Sequence, residues 1–403
     1  MQYRRPDLFF YRVAQTASWA LSSFVFRKKM LRNEIRNVDG PFVVIANHQC
    51  ALDFVNLIGA TRRPMHFVIS NSFYSTLPVK NIMDKIGVIP KQQFQTSVND
   101  LKQMKTVIDA GEPVVIYPAG LMCEDGLSTP IPVATYKFLK WLGVDVYVAR
   151  CQGSYFVMPK WTKGMRPGQT TMDIYKLFSK EELAELDLET VKQKTDEALL
   201  FDAYREQDAN PRKYAKINDI RGLEQVLYQC PSCHQEFTMM VEGNDRICCR
   251  ECGYAQRVDR SGFFHLESEH GPEIRYVSDW SKWIFRQMQQ RMEQGESVTL
   301  AEETEIHMID HHKKRFVPVG QGVIRLDQQE LSLSGRIGNE EITVQIPVGS
   351  VPTLPFKPGK YLEVQHGKDI YRCVLADGRQ VMKFINLVKI HYGLRQKELD
   401  KVT

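Results

Sequence analysis

With 403 residues, 43% hydrophobic and 25% charged, the chain has the composition of a folded globular protein too long for one ordinary domain. Collagen-like, disordered and low-complexity classes are excluded, and no repeat at solenoid periods is present. The net charge of +5 is unevenly placed: residues 1–36 carry eight Arg and Lys against two acids, leaving the remainder close to neutral. A basic excess beside an apolar stretch points to an anionic membrane surface, and no nucleic-acid partner is expected.

That stretch is Leu8–Phe26. A spanning helix needs about 20 strongly apolar residues, and this one is interrupted by Arg12, Gln15, Thr16, Ser18, Ser22 and Ser23. A secretory signal needs a small-residue cleavage site and a mature domain with disulfides. The spacing instead predicts an in-plane amphipathic helix. Phe10, Val13, Ala17, Ala20, Leu21 and Phe24 lie on one side, Arg12, Gln15, Thr16, Ser22 and Ser23 on another, and Arg27-Lys28-Lys29 closes the end. Residues 1–36 are therefore expected to dock a peripheral or monotopic protein on a membrane. Nine cysteines, an odd number that includes a metal-type cluster, indicate a reducing compartment, so the expected location is the cytoplasmic face.

Residues 37–210 alternate short apolar runs with helical patterns. Strands are expected at Phe42–Asn47, Met65–Ser70, Val114–Tyr117, Asp145–Cys151 and Thr171–Ile174, and helices at Ser97–Ala110 and Val133–Leu142. This predicts an α/β domain, a mostly parallel or mixed sheet flanked by helices. Glu181–Arg205 reads as one long closing helix, and residues 207–222 as a polar linker. Residues 226–260 hold a four-cysteine ribbon and 270–298 a connecting helix. Residues 299–398 change character. Alternating runs at Glu305–Ile309, Gly322–Leu326, Glu330–Leu333, Glu341–Ile346, Tyr361–Gln365 and Ile370–Val374 predict a small antiparallel β domain. A C-terminal helix follows, with Val381, Phe384, Ile385 and Val388 on one face. By this pattern the region resembles a pleckstrin-homology-like domain, a class that binds lipid head groups or proteins. Its basic strip His311–Arg315 reads as a solvated hairpin turn.

Two constellations carry chemistry. The first strand runs into Asn47-His48-Gln49-Cys50-Ala51-Leu52-Asp53. Side chains five apart diverge on a straight helix, so His48 and Asp53 converge only across a strand–turn–helix. A carboxylate on one imidazole nitrogen fixes the tautomer and raises the basicity of the other, giving a general base for a hydroxyl. Cys50, between them, reads as a small buried thiol and not a nucleophile.

This NHxxxxD turn resembles the first motif of the glycerolipid acyltransferase superfamily, best known from bacterial 1-acylglycerol-3-phosphate acyltransferases. Gly87-Val88-Ile89-Pro90-Lys91 is similar to its second motif, Tyr117-Pro118-Ala119-Gly120 to its third (normally F-P-E-G-T-R), and Val146–Arg150 ahead of Gly153-Ser154 to its fourth. The resemblance covers residues 1 to about 205. It implies direct transfer: His48 takes the proton of a lipid acceptor's hydroxyl and the oxygen attacks the thioester of acyl-CoA or acyl carrier protein. Asp53 orients His48, while Asn47, Lys91, Tyr117, Pro118 and Gly120 line the substrate site. Backbone N–H groups near Gly120 or a helix N-terminus would hold the oxyanion. The chain departs from the family where Ala119 replaces the Glu, Met122 the Arg and Ala149 the Pro. A methionine cannot form the bidentate fork with which Arg holds phosphate, and Lys91 remains as a point-charge ligand. Glu124 and Asp125 lie nearby but out of register. The alternative expectation is an adaptor that keeps the fold without turnover.

The second constellation is Cys230-Pro-Ser-Cys233 and Cys249-Arg-Glu-Cys252, fifteen residues apart. Two C-x2-C knuckles aim four thiolates at one metal, which predicts a closed structural Zn2+ site. Cys248 is a spare that could exchange as ligand, and His234 is expected at the surface.

Overall fold

The computed structural model describes residues 5–76, 80–94 and 98–400. The chain forms two compact units, Met1–Ile217 and Asn218–Thr403.

Unit 1 contains strands β1 (Lys29–Asn33), β2 (Phe42–Ala46), β3 (His66–Ser70), β4 (Ile89–Lys91), β5 (Val114–Ile116), β6 (Asp145–Gln152) and β7 (Thr171–Phe178). Its helices are α1 (Leu8–Phe24), α2 (Asp53–Leu57), α3 (Asn71–Thr76), α4 (Lys80–Lys85), α5 (Val98–Asp109), α6 (Val133–Leu142), α7 (Ser154–Val157), α8 (Lys180–Glu185), α9 (Leu188–Leu199) and α10 (Ala203–Ala209). The seven strands make one sheet in the order β1-β7-β6-β2-β5-β3-β4. From β4 to β6 every pairing is parallel. β7 runs antiparallel to β6, and β1 parallel to β7, so the sheet is mixed.

All five residues of β2 are buried, as a strand covered on both faces requires. Alternation divides them. Val43 and Ile45 join Val114, Ile116, Val146 and Val148 under α5, α6 and α9, while Phe42, Val44 and Ala46 join Val115, Tyr147 and Ala149 under α1 and α2. The sheet's C-terminal edge, where β2, β5 and β6 end side by side, is where an open α/β sheet presents its site.

Several expectations are corrected here. Glu181–Arg205 is three helices, not one. Asp187 accepts from the Thr190 amide and starts α9, and Asp202 accepts from Tyr204 and Arg205 and starts α10. An Asp placed as a cap restarts the helix in a new direction. Ser97, the expected start of α5, lies outside the described residues. The polar stretch 207–222, expected as a linker, contains the boundary between the two units at Ile217–Asn218, and its first part packs on unit 1. Tyr214 is buried against Phe156, ring centroids 5.2 Å apart, and the Ala215 amide donates to the Pro167 carbonyl at 2.8 Å.

α1 forms where periodicity places it, capped by Asp7 on the amides of Phe9 and Phe10. Tyr11, Ser18 and Ser22 face the protein, with Ser22 donating to the Asn56 side chain at 3.1 Å and Gln15 to the Ile58 carbonyl at 3.1 Å. Leu8, Phe9, Val13, Trp19 and Phe24 are exposed. The interior offers α1 polar acceptors from the α2 segment, so part of its polar side turns inward and its apolar side out. Among the described residues no helix is long and apolar enough to cross a membrane.

Unit 2 opens with a four-stranded antiparallel sheet, β8 (Met239–Glu242), β9 (Arg246–Cys249), β10 (Ala255–Val258) and β11 (Phe264–Leu266). Helix α11 (Val277–Glu293) follows, anchored by fully buried Trp280, whose indole N–H donates to the Gln229 carbonyl at 3.0 Å. The remaining strands are β12 (Leu300–Asp310), β13 (Arg315–Leu326), β14 (Glu330–Ile337), β15 (Glu340–Pro347), β16 (Phe356–Lys357), β17 (Tyr361–His366) and β18 (Asp369–Leu375), ending in α12 (Gln380–Asp400). They form an antiparallel sheet of seven strands where six were expected, because two-residue β16 is too short to show alternation. His311–Lys314 is the β12–β13 turn, capped by Asp310 on the amides of His312 and Lys313. Val381, Phe384 and Ile385 of α12 are buried as its periodicity predicts.

Candidate active site and candidate metal centre

Beyond Ala46 the chain leaves the sheet, turns through residues 47–52, and enters α2 at Asp53. That turn brings the two predicted residues together: His48 Nδ1 lies 2.9 Å from Asp53 Oδ2. Asp53 is 2% exposed and the His48 side chain 20%, so the imidazole alone reaches solvent. With Nδ1–H donating to the carboxylate, Nε2 carries the lone pair that faces a reactant.

Asp53 is held by more than His48. Its Oδ2 accepts the amides of Gln49 at 2.7 Å and Cys50 at 2.9 Å, the turn closing on its own carboxylate. Its Oδ1 accepts the Ser154 hydroxyl at 2.6 Å. Such donors offset the cost of burying a carboxylate. Sequence reasoning quoted Ser154 beside the fourth motif without a role. The only signal was Gly153, whose φ of 87° and lack of room for a Cβ, which would meet Tyr214 Oη, mark a tight turn off β6.

The other predicted residues separate into groups. Asn47 is buried, its amide donating to the Cys151 carbonyl at 2.7 Å and accepting from the Cys151 amide at 2.8 Å. It clamps the ends of β2 and β6. Tyr117 follows β5 and lies tilted against His48, with ring centroids 4.5 Å apart. Its hydroxyl is buried without a hydrogen-bond partner. Pro118 and Gly120 form the next turn, Gly120 at φ 72°. The Gly120 amide donates to the Tyr117 carbonyl at 2.9 Å, so the turn itself uses that N–H. The loop then returns under the site, the Cys123 amide donating to the His48 carbonyl at 3.2 Å. Glu124 and Asp125 are buried, Asp125 accepting the Leu127 amide at 3.1 Å. Lys91, ending β4, donates to the Gln92 carbonyl at 3.2 Å, and burial holds its pKa below the usual lysine value.

Three thiols surround the pair. Burial, then the neighbouring Asp53 carboxylate, pushes Cys50 well above its ordinary range, and the same two causes take Cys151 up to about 12. Burial, then Asp125, pushes Cys123 up as well. A thiol kept protonated is a poor nucleophile.

In unit 2 the sulfurs of Cys230, Cys233, Cys249 and Cys252 all lie within 4.8 Å of one another, with Cys230–Cys252 and Cys233–Cys249 at 3.7 Å. Metal–sulfur bonds of about 2.3 Å in a tetrahedron place sulfurs roughly 3.8 Å apart, so the four thiols fit one metal ion. The knuckles repeat each other. His234 (φ 63°) and Gly253 (φ 74°) follow the second cysteine of each pair, and their amides donate to the carbonyls of Cys230 at 3.0 Å and Cys249 at 3.1 Å. Cys248 is corrected as an exchangeable ligand: it neighbours Cys249 on β9, and strand alternation sends it to the opposite face. His234 is exposed as expected.

Comparison with known proteins bears on unit 1. The family model described as Acyltransferase matches residues 24–141. A chloroplastic 1-acyl-sn-glycerol-3-phosphate acyltransferase of Brassica napus is 26% identical over 153 residues, 36% of this chain and 44% of the relative. One from Chlamydomonas reinhardtii is 26% identical over 148 residues, again 36% and 44%. The chain spans less than half the length of these curated relatives. Among solved structures, the 1-acyl-sn-glycerophosphate acyltransferase PlsC of Thermotoga maritima aligns over 50% of this chain and 79% of its own, at 17% identity and a TM-score of 0.41. The Ran-binding domain of Nup2 from Ashbya gossypii aligns over 24% of this chain and 97% of its own, at 14% identity and a TM-score of 0.19. The stretch that carries the His48–Asp53 turn, the Lys91 strand end and the Tyr117 turn thus matches the Acyltransferase family model and is similar to part of two 1-acyl-sn-glycerol-3-phosphate acyltransferases.

Proposed function

We propose that unit 1 transfers a fatty acyl group from a thioester, acyl-CoA or acyl carrier protein, to a hydroxyl of a lipid acceptor, with His48 as general base. The observation that carries this is the 2.9 Å contact between His48 Nδ1 and a buried Asp53. His48 Nε2 takes the acceptor's proton as the oxygen attacks the thioester carbonyl. The tetrahedral intermediate collapses, the C–S bond breaks, and the imidazolium returns the proton to the leaving thiolate. Asp53 stabilises the imidazolium without itself taking the proton. The curated relatives' names point to a 1-acylglycerol-3-phosphate acceptor, and we extend this to the wider class of lysophospholipids. Met122 stands where the Arg that would grip a phosphate is expected, and Ala119 where a Glu is, leaving Lys91 as the cation at a strand end in this region. The intact His–Asp pair favours an enzyme over an adaptor.

The cysteine cluster is read as a Zn2+ site. Four thiolates leave no open position, so the metal holds the ribbon together and takes no part in transfer. The exposed Phe9, Val13, Trp19 and Phe24 with Arg27 and Lys29 support peripheral docking of α1 on the cytoplasmic face of an anionic membrane, while Lys28 turns inward to the Asn56 carbonyl.

Thiol release from palmitoyl-CoA and palmitoyl-acyl carrier protein, with a panel of lysophospholipids and other lipid hydroxyls, tests the enzyme reading. Release should require both an acceptor and His48. Release no faster than that of His48→Ala, with either donor, would overturn it.

A further inference from the structure

The catalytic pair is anchored from a second strand. Ser154 is fully buried at the start of α7, one residue past the αL Gly153 that turns the chain off β6. Its hydroxyl reaches Asp53 Oδ1 at 2.6 Å, across 101 residues of sequence. Gln49 braces it: the Gln49 Oε1 lies 3.2 Å from Ser154 Oγ and accepts the Tyr155 amide at 3.1 Å. Gln49 is itself fully buried and belongs to the same turn as His48. The two oxygens of Asp53 thus have separate duties. Oδ2 receives His48 and the two turn amides, and Oδ1 receives Ser154, with the Cys50 thiol 3.4 Å away as a weak donor.

We propose that Ser154 is a positioning residue for the acyl transfer, fixing the Asp53 carboxylate plane so that Oδ2 faces His48 and sharing its negative charge through Oδ1. This rests on the reading of His48 as the base. A Ser, an Asp and a His in contact invite a nucleophilic-serine reading, but the order is wrong for it. Asp53 stands between the other two, so His48 cannot take the Ser154 proton, and a hydroxyl with no exposed surface cannot meet a thioester. A short hydrogen bond to an ionised acceptor is among the strong ones, and it fixes one rotamer of Asp53.

The groups facing the pair leave Asp53 as the dominant charge. Tyr117 lies against the His48 ring, and the thiols of Cys50, Cys123 and Cys151 are kept protonated by burial. Lys28 acts on Cys151, and Glu124 and Asp125 on Cys123. Removing the Ser154 hydroxyl leaves more of the carboxylate's charge on Oδ2. The imidazolium of His48 is then better stabilised, and the acid limb of the rate profile moves to higher pH. A residue that served packing alone would not move that limb.

The experiment measures kcat/KM for lipid acylation against pH, with melting temperatures, in the full chain and in Ser154→Ala, Ser154→Thr and His48→Ala. Ser154→Ala should lose roughly tenfold in kcat/KM, the usual scale for one hydrogen bond to a charged group, with its acid limb shifted upward. Ser154→Thr, which keeps the hydroxyl, should return the limb to the wild-type position. Should Ser154→Ala not fold, Ser154→Cys supplies the test, since it preserves a side chain of similar shape with only a weak donor. Wild-type rates in the Ala or Cys variant overturn the proposal, as does a slow variant whose acid limb has not moved. Activity in His48→Ala equal to wild type overturns the underlying reading instead, a different result from either.

Discussion

At the scale of single residues the site mixes groups that bond fully with groups that do not, Gln49 Nε2 and the Tyr117 hydroxyl among them. Asp53 has donors on both oxygens, whereas the Tyr117 hydroxyl is buried without a partner. A buried hydroxyl left unpaired costs about 1–3 kcal/mol. Tyr117→Phe, which places the family's usual residue at the start of the third motif, is expected to raise the unfolding free energy by about 1 kcal/mol in urea titration and leave thiol release intact. Loss of activity would show that the hydroxyl meets a substrate. His66 makes a pH prediction. Burial lowers its pKa from 6.5, partly opposed by its contact with the Gly87 carbonyl, so the folded protein keeps it neutral. The unfolded chain takes up a proton below about pH 6.5 and the folded one does not. Stability contributed by neutral His66 is therefore present above that pH and lost as pH falls toward the folded value, at up to ~1.4 kcal/mol per pH unit. Melting curves between pH 7.5 and 5.5 should fall less steeply for His66→Gln than for wild type.

At the scale of elements, α1 shows what periodicity can and cannot give. Its extent follows from the pattern and from Asp7, but the direction of its faces does not. Tyr11 Oη accepts the Met65 amide at 2.8 Å and Ser22 meets Asn56, and these inward bonds turn Phe9, Val13, Trp19 and Phe24 outward. If those side chains enter a membrane interface, Phe9→Ser with Trp19→Ser should weaken sedimentation with vesicles of one part phosphatidylserine to three of phosphatidylcholine by tenfold or more, with an unchanged melting temperature. Equal binding by the variant would remove α1 from the docking surface. Asp187 and Asp202 teach a related lesson. Both are readable as caps, yet they sit inside an otherwise continuous helical composition, and choosing cap over continuation depends on which face must reach the β6–β7 side of the sheet.

At the scale of the whole molecule, each unit has its own means of cohesion. Unit 1 has two core layers on one sheet, and the ribbon of unit 2 has four thiols around a point. Because a small four-stranded sheet has little core of its own, a chelator such as phenanthroline should lower the melting transition of residues 218–403 and leave that of residues 1–217 in place. Both transitions unmoved, with metal analysis of the untreated protein showing no zinc, would refute the Zn2+ reading.

The sequence by itself determined what depends on neighbours in the chain. These are the buried strand β2, the His48–Asp53 spacing that needs a turn, the C-x2-C knuckles, and the helical stripe of α12. Periodicity, caps and turns are local, so their physics is written over a few residues. Tertiary structure decided what depends on distant partners. The reversed β7 edge made the sheet mixed, the Asn47 clamp joined β2 to β6, and the turn at Gly153 carried Ser154 to an oxygen of Asp53 across 101 residues. A hydroxyl becomes a hydrogen-bond donor to one particular carboxylate only when the fold has buried both, and no pattern along the chain records that distance.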